Sequence, residues 1–93
     1  MIIGLLTLEI YIPYSHSLKE KRKTLNKIKD RLKKKFNIAF AELAYMNKWQ
    51  RSKIGVVTLN NQKSLIEKIF QKIIQEVEEN IEGEILQTEL YYF

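Results

Sequence analysis

Residues Ser15 to Phe36 read SHSLKEKRKTLNKIKDRLKKKF. Leu18, Leu25, Ile28, Leu32 and Phe36 follow one another at spacings of 7, 3, 4 and 4, the period of one apolar helix face. Around that stripe stand ten cations: Lys19, Lys21, Arg22, Lys23, Lys27, Lys29, Arg31, Lys33, Lys34 and Lys35. Only Glu20 and Asp30 oppose them, so the segment carries +8 while the whole chain carries +5. One long basic helix therefore holds the charge asymmetry of the molecule. Ser17 and Glu20 have the spacing of a capping box, in which each side chain satisfies the other end's free N–H. Asn37 suits a left-handed cap at the far end, after the Lys33–Lys35 run at the negative end of the helix dipole.

Upstream, Met1 to Ile12 reads as a strand. Its even positions, Ile2, Gly4, Leu6, Leu8, Ile10 and Ile12, are apolar or Gly, and the odd positions Ile3, Leu5, Thr7, Glu9 and Tyr11 are mixed. Period two places the even set under the helices and the odd set on a more open face. Pro13 ends the strand, because it has no N–H for a ladder. Downstream, Ile38 to Met46 reads as a second strand whose imperfect alternation predicts a bulge near Ala41-Glu42, with Ala41 and Leu43 taking over the face of Ile38 and Phe40. Asn47 to Lys53 is a polar turn, and Ile54 to Leu59 a third strand. Asn60-Asn61 supplies a turn and a cap. Leu65, Ile66, Ile69, Phe70, Ile73, Ile74 and Val77 then form the broad stripe of a second helix, about residues 62–80. Ile85 to Phe93 is the last strand, with either parity open to solvent.

Ninety-three residues in this order, strand-helix-strand-strand-helix-strand, form one domain spanning 1–93. The fold class is α+β: a ferredoxin-like, four-stranded antiparallel sheet of order 4-1-3-2 with two helices on one face. The absence of cysteine excludes disulfides, thiolate metal sites and cysteine nucleophiles, and fits a cytoplasmic protein. The apolar N-terminus lacks the basic region and cleavage site of a signal peptide, and no run is long enough to span a membrane.

The segments IPYSHSLKEKR, RLKKKFNI, AEL and WQRSKIGVV, followed by a closing acidic-aromatic strand, resemble the YlxP-like family of small bacterial proteins over nearly the whole chain. The resemblance implies a ferredoxin-like domain of unestablished activity, with no catalytic residues to carry over. It further implies an association with transcription and translation factors, such as ribosome-binding factor A, beside which members are often encoded.

A basic helix face can be a plain solvated surface. Ten cations against two anions in one helix repel one another, however, and that favours an anionic partner. RNA or the ribosome is the expected partner, held by phosphate contacts from Lys19, Arg22, Lys23, Lys27, Arg31 and Lys34, with Trp49 and Arg51 as further contacts. Trp49 can also serve to cover a sheet edge, which is the commoner use of a turn tryptophan in a small domain. Lys21, inside the apolar arc, is expected to snorkel at the sheet margin; the alternative is an anion site with free N–H groups of the Ser15–Leu18 turn. His16 stands alone, without a nucleophile or metal partners. Glu9, Glu42 and Glu89 are expected to face water or pair with lysines rather than act as acid and base. The chain lacks the aromatic motif of RNA-recognition domains and the GxxG of KH domains, and shows no cofactor motif and no catalytic constellation. The expectation is a binding protein, not an enzyme. The alternative is a homo-oligomer, in the simplest case a homodimer, assembled through the open sheet face or an edge.

Overall fold

The computed structural model describes residues 1–93. The strands β1 (Ile2–Tyr11), β2 (Ala39–Ala44), β3 (Arg51–Asn60) and β4 (Glu84–Tyr92) alternate with the helices α1 (Leu18–Lys35) and α2 (Lys63–Asn80) in the expected order. The sheet runs β2-β3-β1-β4 with all neighbours antiparallel, which is the anticipated 4-1-3-2 arrangement.

The core lies between sheet and helices. From β1 it takes Leu6, Leu8 and Ile10, from α1 Leu25, Ile28 and Leu32, and from α2 Ile66, Phe70, Ile73 and Val77. At Gly4 the side chains of α2 lie directly on β1: a Cβ there would stand 2.6 Å from Ile66 Cγ2. Alternation along β1 therefore sets the two faces of the molecule, as its even and odd residues suggest.

Several local details differ from the sequence reading. Strand β3 begins at Arg51, inside the segment read as a turn, because it pairs with β1 over its whole length from Ile2↔Asn60 to Tyr11↔Arg51. Helix α1 ends at an extended Phe36, and Asn37 adopts no left-handed conformation. The Asn37 carbonyl instead accepts a 3.0 Å hydrogen bond from Thr58 Oγ1, tying the exit of α1 to β3. Helix α2 starts without a side-chain cap; the Asn60 carboxamide accepts the Gln62 N–H at 2.9 Å in the turn before it. The α1 cap does form. Ser17 Oγ accepts from Glu20 N–H at 3.0 Å, and Glu20 reaches back to the His16 N–H at 2.6 Å, one residue before the usual partner.

Both edge strands carry a bulge. In β4 the register shifts so that Glu9 faces Gln87 while Ile10 faces Ile85. Leu86 is the extra residue, which sends Ile85 toward the helices and leaves Gln87, Glu89 and Tyr91 on the open face. In β2 the extra residue is Leu43, later than the sequence suggests. Phe40 and Glu42 keep one parity toward the helix side. Leu43 lies on the open face over Gly55, where an added Cβ would come within 2.7 Å of Leu43 Cδ1.

The inward turn of Glu42 has a partner. Lys21 is neither a snorkelling residue nor an anion site: it is 1% exposed. Its ammonium donates to the carbonyl of Tyr45 at 2.8 Å and to those of Met46 and Arg51 at 3.3 Å, and lies 3.0 Å from Glu42 Oε2. Ser52 Oγ donates to the same carboxylate at 2.7 Å. A buried charge is tolerated only when paired and hydrogen-bonded, and this one is met by four oxygens. Those oxygens belong to the two limbs of the β2–β3 hairpin, so α1 holds the hairpin through one side chain. Tyr45, at φ 63°, turns the chain out of β2 so that its carbonyl reaches the ammonium.

Removing one member of a buried pair commonly costs about 3–5 kcal/mol. Replacing Lys21 with Met should lower unfolding free energy by about 3 kcal/mol in urea titration, whereas Lys23→Met on the solvent face should stay within about 0.5 kcal/mol. Equal stability of the two variants would remove the structural role assigned to Lys21.

Candidate nucleic-acid interface

Helix α1 divides its charges by direction. The stripe Leu25, Ile28 and Leu32 faces the sheet with Lys21, and the other cations point away from it or along its flanks. On the flank facing α2, Glu76 accepts from Arg31 Nε at 2.5 Å and from Lys35 Nζ at 2.9 Å, clamping the two helices together. With Lys21, that makes three of the ten cations paired. Lys19, Arg22, Lys23, Lys27, Lys29, Lys33 and Lys34 form no salt bridge. All but the half-buried Lys29 are exposed.

The expected contact residues therefore separate. Lys19, Arg22, Lys23, Lys27 and Lys34 share the free surface of α1. Arg31 is engaged by Glu76. Trp49 sits in the β2–β3 turn with 54% of its surface exposed, so it contributes little to the core and remains accessible. Arg51 lies on the opposite side of the sheet. Its Nε donates to Glu9 Oε1 at 2.8 Å, its terminal nitrogen also contacts that oxygen, and its guanidinium stacks on Tyr45 at 4.6 Å from the ring centroid.

The strand carboxylates do not converge. Glu42 faces the helix side, while Glu9 and Glu89 lie on the open face, each beside a cation. The hydrogen bond from Arg51, followed by one from Tyr45, holds the Glu9 carboxyl below its ordinary range. Tyr91 and then Lys53 do the same for Glu89, which in turn raises the Tyr91 phenol. Lys35 and Arg31 lower Glu76. These are charge-pairing carboxylates kept ionised, the opposite of what a general acid at neutral pH needs.

Two depressions flank α1. One, of about 450 Å³, is lined by Lys33, Lys34 and Lys35 with Phe36, Asn37 and Ile38 at the end of α1. The other, of about 370 Å³, lies between the β1–α1 turn, the first half of α1 and the segment leaving α2; Tyr14, Glu20, Lys23, Thr24, Lys27 and Glu82 form most of its wall. The groove and the Lys21 cage both escaped the sequence reading. The cage had a signal: Lys21 interrupts the apolar arc of α1, and Glu42 interrupts the inward parity of β2. Two such misfits in one small core point to each other.

A family model described as "Protein of unknown function (DUF503)" matches residues 3–90. This chain belongs to the DUF503 family. It is 33% identical over 92 residues to the "Uncharacterized protein YlxP" of Bacillus subtilis (strain 168), covering 97% of this chain and all of the relative. Among solved structures, a structural-genomics protein YJCS superposes with a TM-score of 0.59 at 13% identity, over 96% of both chains. The designed protein Ferredog-Diesel superposes at 0.51 and 17% identity, over 94% of this chain and 83% of its own. At these identities the two superpositions establish the fold of this DUF503 member and nothing of its activity. No helix is long and apolar enough to cross a membrane.

The lowered carboxyls fix the sign of the acid response. Each has a folded-state value below its ordinary 4.5, so its contribution is present above that value and is lost as pH falls through it. Thermal melts should be flat from neutral pH to about 5 and then fall below about 4.5. Glu76→Gln should shrink that fall; parallel acid profiles for variant and parent would exclude Glu76 from it.

Proposed function

We propose that this chain is a cytoplasmic, RNA-associated binding protein, not an enzyme, that holds the phosphates of ribosomal or transcript RNA on the free surface of α1. The observation that carries the reading is the set of seven α1 cations without a carboxylate partner. The chain has acidic residues to spare, as the α2 segment Glu76 to Glu79 includes three, yet only Glu76 is brought to α1. Like charges one turn apart on a helix disfavour it, so an unneutralised face is stabilised by an anionic partner. Contacts of this kind supply affinity and salt dependence rather than base sequence.

Binding to total cellular RNA should weaken steeply with salt, with a slope of log K on log[salt] of about −0.7 per phosphate contact on single strands and about −0.9 on duplex. Reversing Lys23, Lys27 and Lys34 to Glu together should flatten that slope and weaken all sequences alike. No binding at low salt, or a triple variant that binds as tightly as the parent, overturns the reading.

A second reading, compatible with the first, comes from the open sheet face. Glu9 pairs there with Arg51 and Glu89 with Lys53, so the face has no free cation for a polyanion. Its other end is apolar, with Ile3, Leu5, Val57, Leu59, Tyr91 and Phe93; Leu59 is 61% and Phe93 73% exposed. A neutral face with one apolar end suits a second copy of the same face, giving a homodimer with the basic helices outermost. Light scattering at high micromolar concentration should give the dimer mass, and Leu59→Glu should return it to the monomer. A monomer throughout removes this second reading and leaves the first intact.

A further inference from the structure

The groove beside α1 has a division of chemistry that a bare phosphate surface does not need. On the α1 side stand Lys23 and Lys27, one turn apart and without carboxylate partners. On the α2 side the free polar atoms are acceptors. Asn80 Nδ2 is already committed to the Glu76 carbonyl at 2.8 Å and to the Glu76 carboxylate at 3.3 Å, which leaves its Oδ1. Glu82 has no cation and no hydrogen-bond donor, whereas Glu20, on the α1 side, has its Oε2 taken by the His16 N–H at 2.6 Å.

At the mouth stands Tyr14, 70% exposed. Its turn is rigid. Ser15 N–H donates to the Ile12 carbonyl at 3.2 Å, the buried Ser15 hydroxyl donates to the Ser17 carbonyl at 3.2 Å, and Gln50 Nε2 donates to the Pro13 carbonyl at 3.0 Å. An aromatic ring held out into water from a pinned turn is a ready stacking platform, because little freedom remains to be lost. The volume, about 370 Å³, is at the small end of ligand pockets, which run from about 300 to 1,000 Å³.

Two free lysines on one wall, a free carboxylate on the other and an aromatic platform match the anatomy of one nucleotide. We infer that this groove takes a single unstacked guanine nucleotide of a single-stranded RNA, with the base on Tyr14, its phosphates on Lys23 and Lys27, and its donor edge on Glu82. Guanine presents two adjacent donors, N1–H and N2–H, which a carboxylate accepts together. In a duplex that edge is paired, so only a splayed base reaches the groove. The inference rests on the reading of α1 as an RNA-phosphate surface and adds the strand state and the base to it.

The test uses fluorescence anisotropy with a short oligouridine, the same strand carrying one central guanosine, and an RNA duplex. The parent should bind the guanosine strand about tenfold tighter than the oligouridine. Tyr14→Ala should weaken the guanosine strand about tenfold and leave the duplex unchanged. Glu82→Gln should erase the guanosine preference alone. Neither variant should alter the salt slope or, because both side chains are exposed, the melting temperature. Guanosine monophosphate alone should bind far more weakly than the strand, since it lacks the flanking phosphates. Absence of a guanosine preference, an equal loss on duplex in Tyr14→Ala, or monophosphate binding as tight as the strand overturns the inference. If salt-dependent binding persists in those cases, the phosphate reading of α1 stands without the groove. If no RNA binds at low salt, both fall.

Discussion

The ammonium of Lys21 is the constraint on which the arrangement of this molecule depends. A charge with 1% exposure is destabilising unless its surroundings replace the water it lost. Here the replacement comes from Glu42 and from the carbonyls of Tyr45, Met46 and Arg51. Satisfying it dictates the left-handed turn at Tyr45, the inward parity of Glu42, the buried Ser52 hydroxyl and the bulge at Leu43. It also fixes the hairpin that carries Trp49 and starts β3 at Arg51. A hydrophobic residue at position 21 would fill the volume but remove the one donor that Glu42 and the three carbonyls share.

With that attachment made, the charges of α1 and of the open sheet face fall into three settings. Glu76 bridges the helices and offsets part of the charge on the α2 flank of α1 through Arg31 and Lys35. The open sheet face balances its own charges in the pairs Glu9–Arg51 and Glu89–Lys53. What is left unbalanced there is the free surface of α1, whereas the groove under Tyr14 sets Lys23 and Lys27 against Glu20 and Glu82. The molecule thus has one electropositive side and one neutral, partly apolar side, separated by the sheet. An anionic strand and a second copy of the chain would meet different surfaces, and neither would exclude the other.

Periodicity made much of this legible. Stripes in α1 and α2, alternation in β1 and the order of elements specify which faces are buried, because burial of apolar surface is non-directional and follows from pattern alone. Family membership was legible separately, as a resemblance carried by the SHSLKEKR and WQR blocks. The candidate contact residues were legible as a charge count. Their division into the free Lys19, Arg22, Lys23, Lys27 and Lys34, the clamped Arg31 and the distant Arg51 was not, because a count has no direction.

The sequence by itself determined the helices, the strands, the sheet order and the concentration of positive charge on α1. The elements and the charge follow from spacing within a segment, where neighbours along the chain are also neighbours in space, and the sheet order follows from the succession of elements and the handedness of their crossovers. Only the tertiary structure decided that Lys21 is buried against Glu42, that Glu76 takes Arg31 and Lys35, and that Leu43 and Leu86 bulge. It alone brought Tyr14, Lys23, Lys27 and Glu82 around one groove. Those outcomes join residues far apart in the chain, and their energies depend on distance, direction and desolvation. None of these exists until the sheet and helices have packed.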